Sequence, residues 1–289
     1  MKIAYLGPEG SFSHIALQNI ANTLFEEPFL YVSMNSFTEA VNELRRGSVE
    51  YALLPIENSL GGSVPESLDQ ISSLDGSFQV QLEWVASIEH CLSGFQKDFS
   101  KVKEVRAHFQ ALAQCREFLK FNLPKAELKE MPSNSTAVKS LHGITDALAI
   151  CSLEAAELYN VPLIEKGIND LKDNFTRFWL VGTKSIKLIS STGQKLTSIV
   201  FRIPLDEPGG LVRVLKVLSD KKINLTKIES RPTRGRLCEY SFFIDFIYAS
   251  EKKEIFDELK NVCAHFKHLG TYEIHPKLDL RFTSNPSQG

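Results

Sequence analysis

The chain has 289 residues, 43% of them apolar, and its 33 Lys and Arg against 35 Asp and Glu leave a formal net charge of -2. That length suits about two domains. A balanced charge with no Lys/Arg block of five or more excludes a nucleic-acid footprint, and no run of eighteen apolar residues is present to span a membrane.

Met1-Lys2-Ile3-Ala4-Tyr5-Leu6-Gly7 opens directly on a strand pattern, without a signal peptide's apolar core, so a cytoplasmic location is expected. The strand Lys2–Leu6 leads into Gly7-Pro8-Glu9-Gly10-Ser11-Phe12-Ser13 and a helix from about His14. Tyr51–Ile56 leads into Glu57-Asn58-Ser59-Leu60-Gly61-Gly62-Ser63 and a helix opening with Pro65 and Glu66. Val102–Ala107 leads into His108-Phe109-Gln110 and a helix Ala111–Phe121, and Ala147–Cys151 into Ser152 and a helix Leu153–Tyr159. Strands alternating with amphipathic helices predict a mainly parallel α/β sheet. Ligands of such sheets bind beyond the carboxyl ends of the strands, where all four polar turns fall. Ser at such a turn is ordinarily a helix cap; four such turns together read as a site for a carboxylate-bearing small molecule.

Asn174-Phe175-Thr176-Arg177-Phe178 places an amide, a hydroxyl and a guanidinium directly before the apolar run Trp179-Leu180-Val181-Gly182, which reads as a buried strand. Either these polar groups face water at an edge, or the hydroxyl stands at the mouth of a crevice. Residues 185–196 are polar and turn-rich, and a linker is expected over 186–196. Beyond it come a strand Thr197–Ile203, a helix Pro208–Lys222, strands Ile223–Ser230 and Cys238–Tyr248, a helix Lys252–Phe266 and a strand Leu269–Ile274. That order is βαββαβ, a ferredoxin-like unit, followed by a frayed tail over 277–289.

The five cysteines, Cys91, Cys115, Cys151, Cys238 and Cys263, are scattered and read as reduced core thiols. Cys263, His265 and His268 are placed on the last helix and lack a second ligand pair, so no metal site is expected. Gly7-x-x-Gly10-Ser11 lacks the Gly-Lys-Ser/Thr of a phosphate loop, and no nucleotide or other cofactor is implied.

The chain resembles the prephenate dehydratase family over nearly its whole length. The resemblance rests on Gly7–Ser13, Pro55-Ile56-Glu57-Asn58-Ser59, His108–Cys115 and Asn174–Phe178, with Pro208-Gly209-Gly210-Leu211 and Glu229-Ser230-Arg231-Pro232 matching the phenylalanine-site motifs of an ACT domain. It implies a two-lobed, periplasmic-binding-protein-like catalytic region over 1–185. Lobe one would be about 1–77 plus 163–185 and lobe two about 78–162, with an ACT domain over 197–276. It implies a hydro-lyase acting on prephenate, with Thr176, Asn58 and Gln114 catalytic and Ser11, Phe12, Ser59, Gln110, Arg177 and Phe178 binding substrate. His108 is read as orienting its loop. L-phenylalanine would bind at Gly209, Gly210, Leu211, Val212, Glu229, Ser230, Arg231 and Pro232 between paired ACT domains of a homodimer or homotetramer. The family commonly has Ser-His-Pro-Gln at Ala107-His108-Phe109-Gln110, and Gly210 stands where it usually has Ala. No chorismate mutase helices precede Met1, so that second activity is not expected. Two other readings stay open: an arogenate dehydratase, and a non-catalytic amino-acid sensor.

Overall fold

The computed structural model describes residues 1–26, 28–204, 208–233, 239–247 and 254–276. The expected Cys238 thiol, parts of the expected elements Cys238–Tyr248 and Lys252–Phe266, and the tail from 277 lie outside them. The chain divides into two units, 1–78 with 86–189 and 79–85 with 190–289.

The first unit holds two sheets. In one, Lys2–Leu6 runs parallel between Leu30–Met34 and Tyr51–Asn58, and Phe175–Gly182 lies antiparallel against Tyr51–Asn58. Local sequence sets its helices. Ser11 caps Phe12–Leu24, whose buried Ala16, Leu17, Ile20, Ala21 and Leu24 form one stripe of helical period. Ser36 and Glu39 begin the helix Phe37–Arg46, and Gly47 ends it with φ 72°.

The other sheet has the order Leu163–Glu165, Cys91–Gly94, Ala147–Cys151, Glu104–Ala107, Glu127–Glu130. Both its faces are covered. Leu92, Val105, Leu148 and Ile150 pack on Ala111, Cys115 and Leu119, while Ala149 and Cys151 pack on Ala137, Val138, Ala155 and Ala156. Each large aliphatic side chain so buried contributes ~1.5–3 kcal/mol.

The second unit is a sheet ordered Leu225–Pro232, Tyr240–Ile247, Lys195–Arg202, His265–His275, Gln79–Ser87. Helices Gly210–Asp220 and Ile255–Val262 cover one face, with Val214, Leu218, Ile255 and Leu259 on Ile199, Phe201, Ile244 and Phe246.

Three sequence expectations change. Gln79–Val85 belongs to the second unit, where Leu82, Glu83 and Trp84 run parallel to Glu273, Ile274 and His275. Leu163–Glu165 pairs with Cys91–Gly94 and Ile168 packs in the same lobe's core, so lobe two is not 78–162. Apolar alternation reports that a strand is buried, not which sheet it joins.

The helix expected over Ala111–Phe121 is two short helices, Phe109–Gln114 and Arg116–Asn122, broken at Cys115. The second restarts because the Asp170 carboxylate accepts from Glu117 N at 3.0 Å and Phe118 N at 3.1 Å. The last helix stops at Val262, so Cys263 caps it while His265 and His268 lie on the strand His265–His275. The i, i+4 spacing of Val262 and Phe266 mimics a helix, yet Phe266 reaches Phe256 and the helix-covered core from the strand.

Candidate active site

Strand register builds the centre of the site. Thr176 lies directly opposite Asn58, and residues alternating along the strand put Thr176 and Phe178 on the wall of a cavity of about 870 Å³. All four sequence-predicted turns line it: Gly7–Ser13 except Glu9, Asn58 with Gly61–Ser63, His108–Gln110, and Ser152.

Hydrogen bonds fix the donor sense of each amide. Asn58 Oδ1 accepts from the backbone N–H of Leu60 at 3.1 Å and Gly61 at 2.8 Å. Its Nδ2 must therefore face the other way, where it donates to Phe175 O at 3.1 Å, Asn174 Oδ1 at 2.7 Å and Thr176 Oγ1 at 3.0 Å. Asn174, its Oδ1 taken, donates through Nδ2 to Gln114 Oε1 at 2.9 Å, and Gln114 Nε2 points back to Asn58 Oδ1 at 3.4 Å. Because Thr176 Oγ1 accepts in this chain, its own proton is left to donate into the cavity. Asn174 is fully buried and Thr176 is 9% exposed, so water competes little for these groups.

The helix break at Cys115 places Gln114. Its carbonyl accepts from Asp170 N at 2.9 Å, and the same Asp170 caps the next helix. The first loop is held by lobe two: Tyr159 Oη donates to Glu9 O at 3.0 Å and Ser152 Oγ to Gly10 O at 3.3 Å. Gly10 has φ +78°, and a Cβ there would lie 3.1 Å from Ala155 Cβ, so this close approach requires glycine.

Other expected residues land differently. Ser11 lines the cavity, but its hydroxyl donates to Leu6 O at 3.0 Å and accepts from His14 N at 3.3 Å, which leaves no proton for an anion. Ser59 does not line the cavity; it donates to Asp173 O at 3.1 Å and accepts from Phe175 N at 2.9 Å, fastening two strands. Arg177 points away from the wall that Thr176 and Phe178 form, and its Nη1 meets Glu57 Oε2 at 2.7 Å on the neighbouring strand of the same sheet. This partly buried pair joins strands, not lobes. Phe12 and Gln110 both line the cavity. His108 caps Phe109–Gln114, with its backbone N–H on Asn134 Oδ1 at 2.9 Å. Ala107 is fully buried, and Phe109 is exposed at the cavity beside the His108 ring.

Sequence reading missed a fifth turn, Pro132–Thr136, and His90. Ser133 caps Asn134–Lys139, and the buried Ser135 Oγ on the cavity wall has no hydrogen-bond partner. The strand before this turn, Glu127–Glu130, is exposed throughout and gives no apolar signal, although Pro-Ser-Asn-Ser-Thr is a helix-start pattern. His90 Nε2 lies 2.8 Å from Gln114 Oε1. Burial holds the imidazoles of His14, His90 and His108 below their ordinary value of 6.5. Among the described residues the lining contains no lysine or arginine, and its one carboxylate is Glu66. No group of three or more described His, Cys, Asp or Glu side chains is placed to hold a metal.

In the second unit, Gly209 turns with φ +83° into the helix Gly210–Asp220, and a Cβ on Gly210 would lie 3.2 Å from Ile203 Cβ. Glycine at 210 thus fits a tight seat against Ile203. Leu211 is half-buried, Val212 is 65% exposed, and Glu229–Pro232 ends the outer strand Leu225–Pro232.

These features define a two-lobed α/β unit with a polar cleft free of lysine and arginine among the described residues, carried with a ferredoxin-like unit. Residues 3–186 match the family described as prephenate dehydratase and residues 197–264 match the ACT domain. A prephenate dehydratase of Lactococcus lactis is 37% identical over 95% of this chain and 98% of its own. A solved prephenate dehydratase from Arthrobacter aurescens, in complex with L-Phe, is 29% identical with a TM-score of 0.81, covering 94% of this chain and 90% of that one. A structure described as a novel type of quorum quenching acylase has a TM-score of 0.80 at 24% identity, covering 96% of this chain and 99% of that one, and shows the shared fold alone. The chain belongs to the prephenate dehydratase family and carries an ACT domain. Among the described residues no helix is long and apolar enough to cross a membrane.

Proposed function

We propose that this chain converts prephenate to phenylpyruvate, carbon dioxide and water, as a hydro-lyase of phenylalanine biosynthesis. The observation that carries the reading is the Thr176 hydroxyl, which accepts from Asn58 Nδ2 at 3.0 Å and so keeps its proton for the substrate. In the reaction the bond to the ring carboxylate breaks and its electron pair enters the ring, which becomes aromatic as the C–O bond to the hydroxyl breaks. The carboxylate leaves as carbon dioxide. The departing hydroxide takes up one proton from the solvent pool and leaves as water. Thr176 donates a hydrogen bond to that oxygen as charge develops, and a positioned donor of this kind contributes ~10²–10³-fold.

A cavity lined without lysine or arginine among the described residues suits this chemistry. A guanidinium on the leaving carboxylate would stabilise the bound substrate more than a transition state whose charge has moved to the hydroxide. Amides, the Ser135 hydroxyl and backbone N–H groups can instead hold the carboxylates without that penalty.

Regulation completes the reading. L-phenylalanine binds between Gly209–Val212 of one chain and Glu229–Pro232 of a second, in a homodimer or homotetramer paired through ACT domains, and lowers activity. The L-Phe complex of the Arthrobacter aurescens relative supports this. Unpaired Cys91, Cys115, Cys151 and Cys263 suit a cytoplasmic location. The test is phenylpyruvate formation from prephenate and phenylalanine formation from arogenate, each with and without L-phenylalanine. Turnover of prephenate, inhibited by L-phenylalanine, is expected; no turnover of either substrate overturns the enzyme reading.

A further inference from the structure

The chain of amides that ends at Thr176 begins at a residue that the family motifs quoted above do not contain. His90 is 3% exposed, on the turn between Gln79–Ser87 and Cys91–Gly94. Its backbone N–H donates to Asn169 Oδ1 at 2.7 Å, and Asn169 Nδ2 donates to Ile88 O at 3.1 Å, which fixes the turn. The ring stands edge-on to Phe12, with centroids 5.6 Å apart. Nε2 lies 2.8 Å from Gln114 Oε1, while Nδ1 is buried without a partner.

The tautomer follows from the backbone. The N–H groups of Leu60 and Gly61 orient Asn58, Asn58 orients Asn174, and the Asn174 Nδ2 donor at 2.9 Å makes the facing Gln114 atom an oxygen. An oxygen there can only accept, so His90 Nε2 carries the hydrogen and Nδ1 carries a lone pair. Protonating Nδ1 would bury an unpartnered donor, which agrees with the downward pull of burial on this imidazole.

We infer that His90 is a positioning residue for the reaction: its Nε2–H fills the second lone pair of Gln114 Oε1 and locks that amide in the Asn58–Asn174 chain. With Oε1 held by two donors, Gln114 turns its NH₂ towards Asn58 and the cavity. Gln114 is thereby a donor to an anionic substrate and never an acceptor. Without His90, Oε1 keeps only Asn174, and the side chain gains freedom to rotate away from Asn58. The Thr176 hydroxyl, held by Asn58, then loses orientation in the transition state more than in the bound substrate.

The inference rests on the dehydratase reading, and two measurements separate them. The first is activity of the full chain. His90→Leu is expected to lower kcat about tenfold, the effect of one lost hydrogen bond, with KM within about twofold. His90→Gln, whose amide N–H can reach the same oxygen, is expected to recover most of that loss. In a Thr176→Ala background, His90→Leu is expected to change the residual rate by less than about twofold, because the group it orients is gone. Unchanged kcat in His90→Leu, no recovery by His90→Gln, or the same tenfold loss in both backgrounds overturns the inference while the native enzyme's turnover still stands. The second needs neither variants nor substrate: ¹⁵N imidazole shifts of the native protein near neutral pH. A neutral His90 with hydrogen on Nε2 supports it, and hydrogen on Nδ1 overturns it even if the protein forms no phenylpyruvate.

Discussion

The cavity around Thr176 and the proposed effector segments differ in how deeply their side chains are buried. Around Thr176, amides and a buried imidazole partner one another in fixed donor sense, and Asn174 is wholly buried. At the proposed effector segments a left-handed turn at Gly209 leads to an exposed Val212, and Ser230 and Pro232 stand exposed on an outer strand. A donor that must stabilise developing charge works best when its reorganisation is complete beforehand. A segment that takes a ligand between two chains has to be reachable from solvent, so deep burial would serve it poorly.

Substitutions test that contrast directly. The largest effect belongs to Thr176→Ala, expected to cut kcat by at least ~100-fold. Circular dichroism and the thermal midpoint are expected to stay near native, since the lost hydroxyl accepts only one hydrogen bond. Near-native turnover would remove Thr176 from the chemistry.

Val212→Asp tests the other side. An added carboxylate at the first turn of Gly210–Asp220 repels the carboxylate of a bound amino acid. The L-phenylalanine concentration for half inhibition is expected to rise at least about tenfold, within the usual range of allosteric coupling. Inhibition curves that superpose on the native ones would place the effector elsewhere.

Arg177→Ala is expected to alter kcat/KM by less than about threefold, since its side chain lies off the cavity wall and meets Glu57. A rise in KM of about 100-fold would instead restore Arg177 as a substrate clamp, because a charged hydrogen bond is worth that much.

The smallest effect is on stability with pH. His14, His90, His108, His268 and His275 are all held below 6.5, first by burial, so each binds fewer protons folded than unfolded. Their contribution is complete above 6.5 and is lost as pH falls from there through the folded values. Urea midpoints are expected to decline between about pH 7 and pH 5, and a flat profile would show these imidazoles are not buried neutral.

The folded chain also shows why some of the site was legible and some was not. Cap residues and glycine turns act within a few residues of themselves, so the turns at Gly7–Ser13, Glu57–Ser63 and His108–Gln110 could be read directly. Strand alternation also carried the sense of Arg177, although the sequence reading set it among the substrate contacts. Once Thr176 faces a cavity from a strand, its neighbour must face away. His90 had no such signal, since one histidine on a turn says nothing until Gln114 is brought 2.8 Å from it.

By itself the sequence determined what depends on neighbours along the chain: the alternation of strands and helices, the polar turns at strand ends, and the motifs that mark the family. Whatever depends on residues far apart in sequence was settled by folding. Gln79–Val85 joined a sheet built mainly from residues beyond 190, and Asp170 restarted a helix at Arg116. Asn58 met Thr176 across 118 positions and gave its hydroxyl a direction. Hydrogen-bond sense and sheet membership are set by which groups meet, and a one-dimensional pattern does not record that meeting.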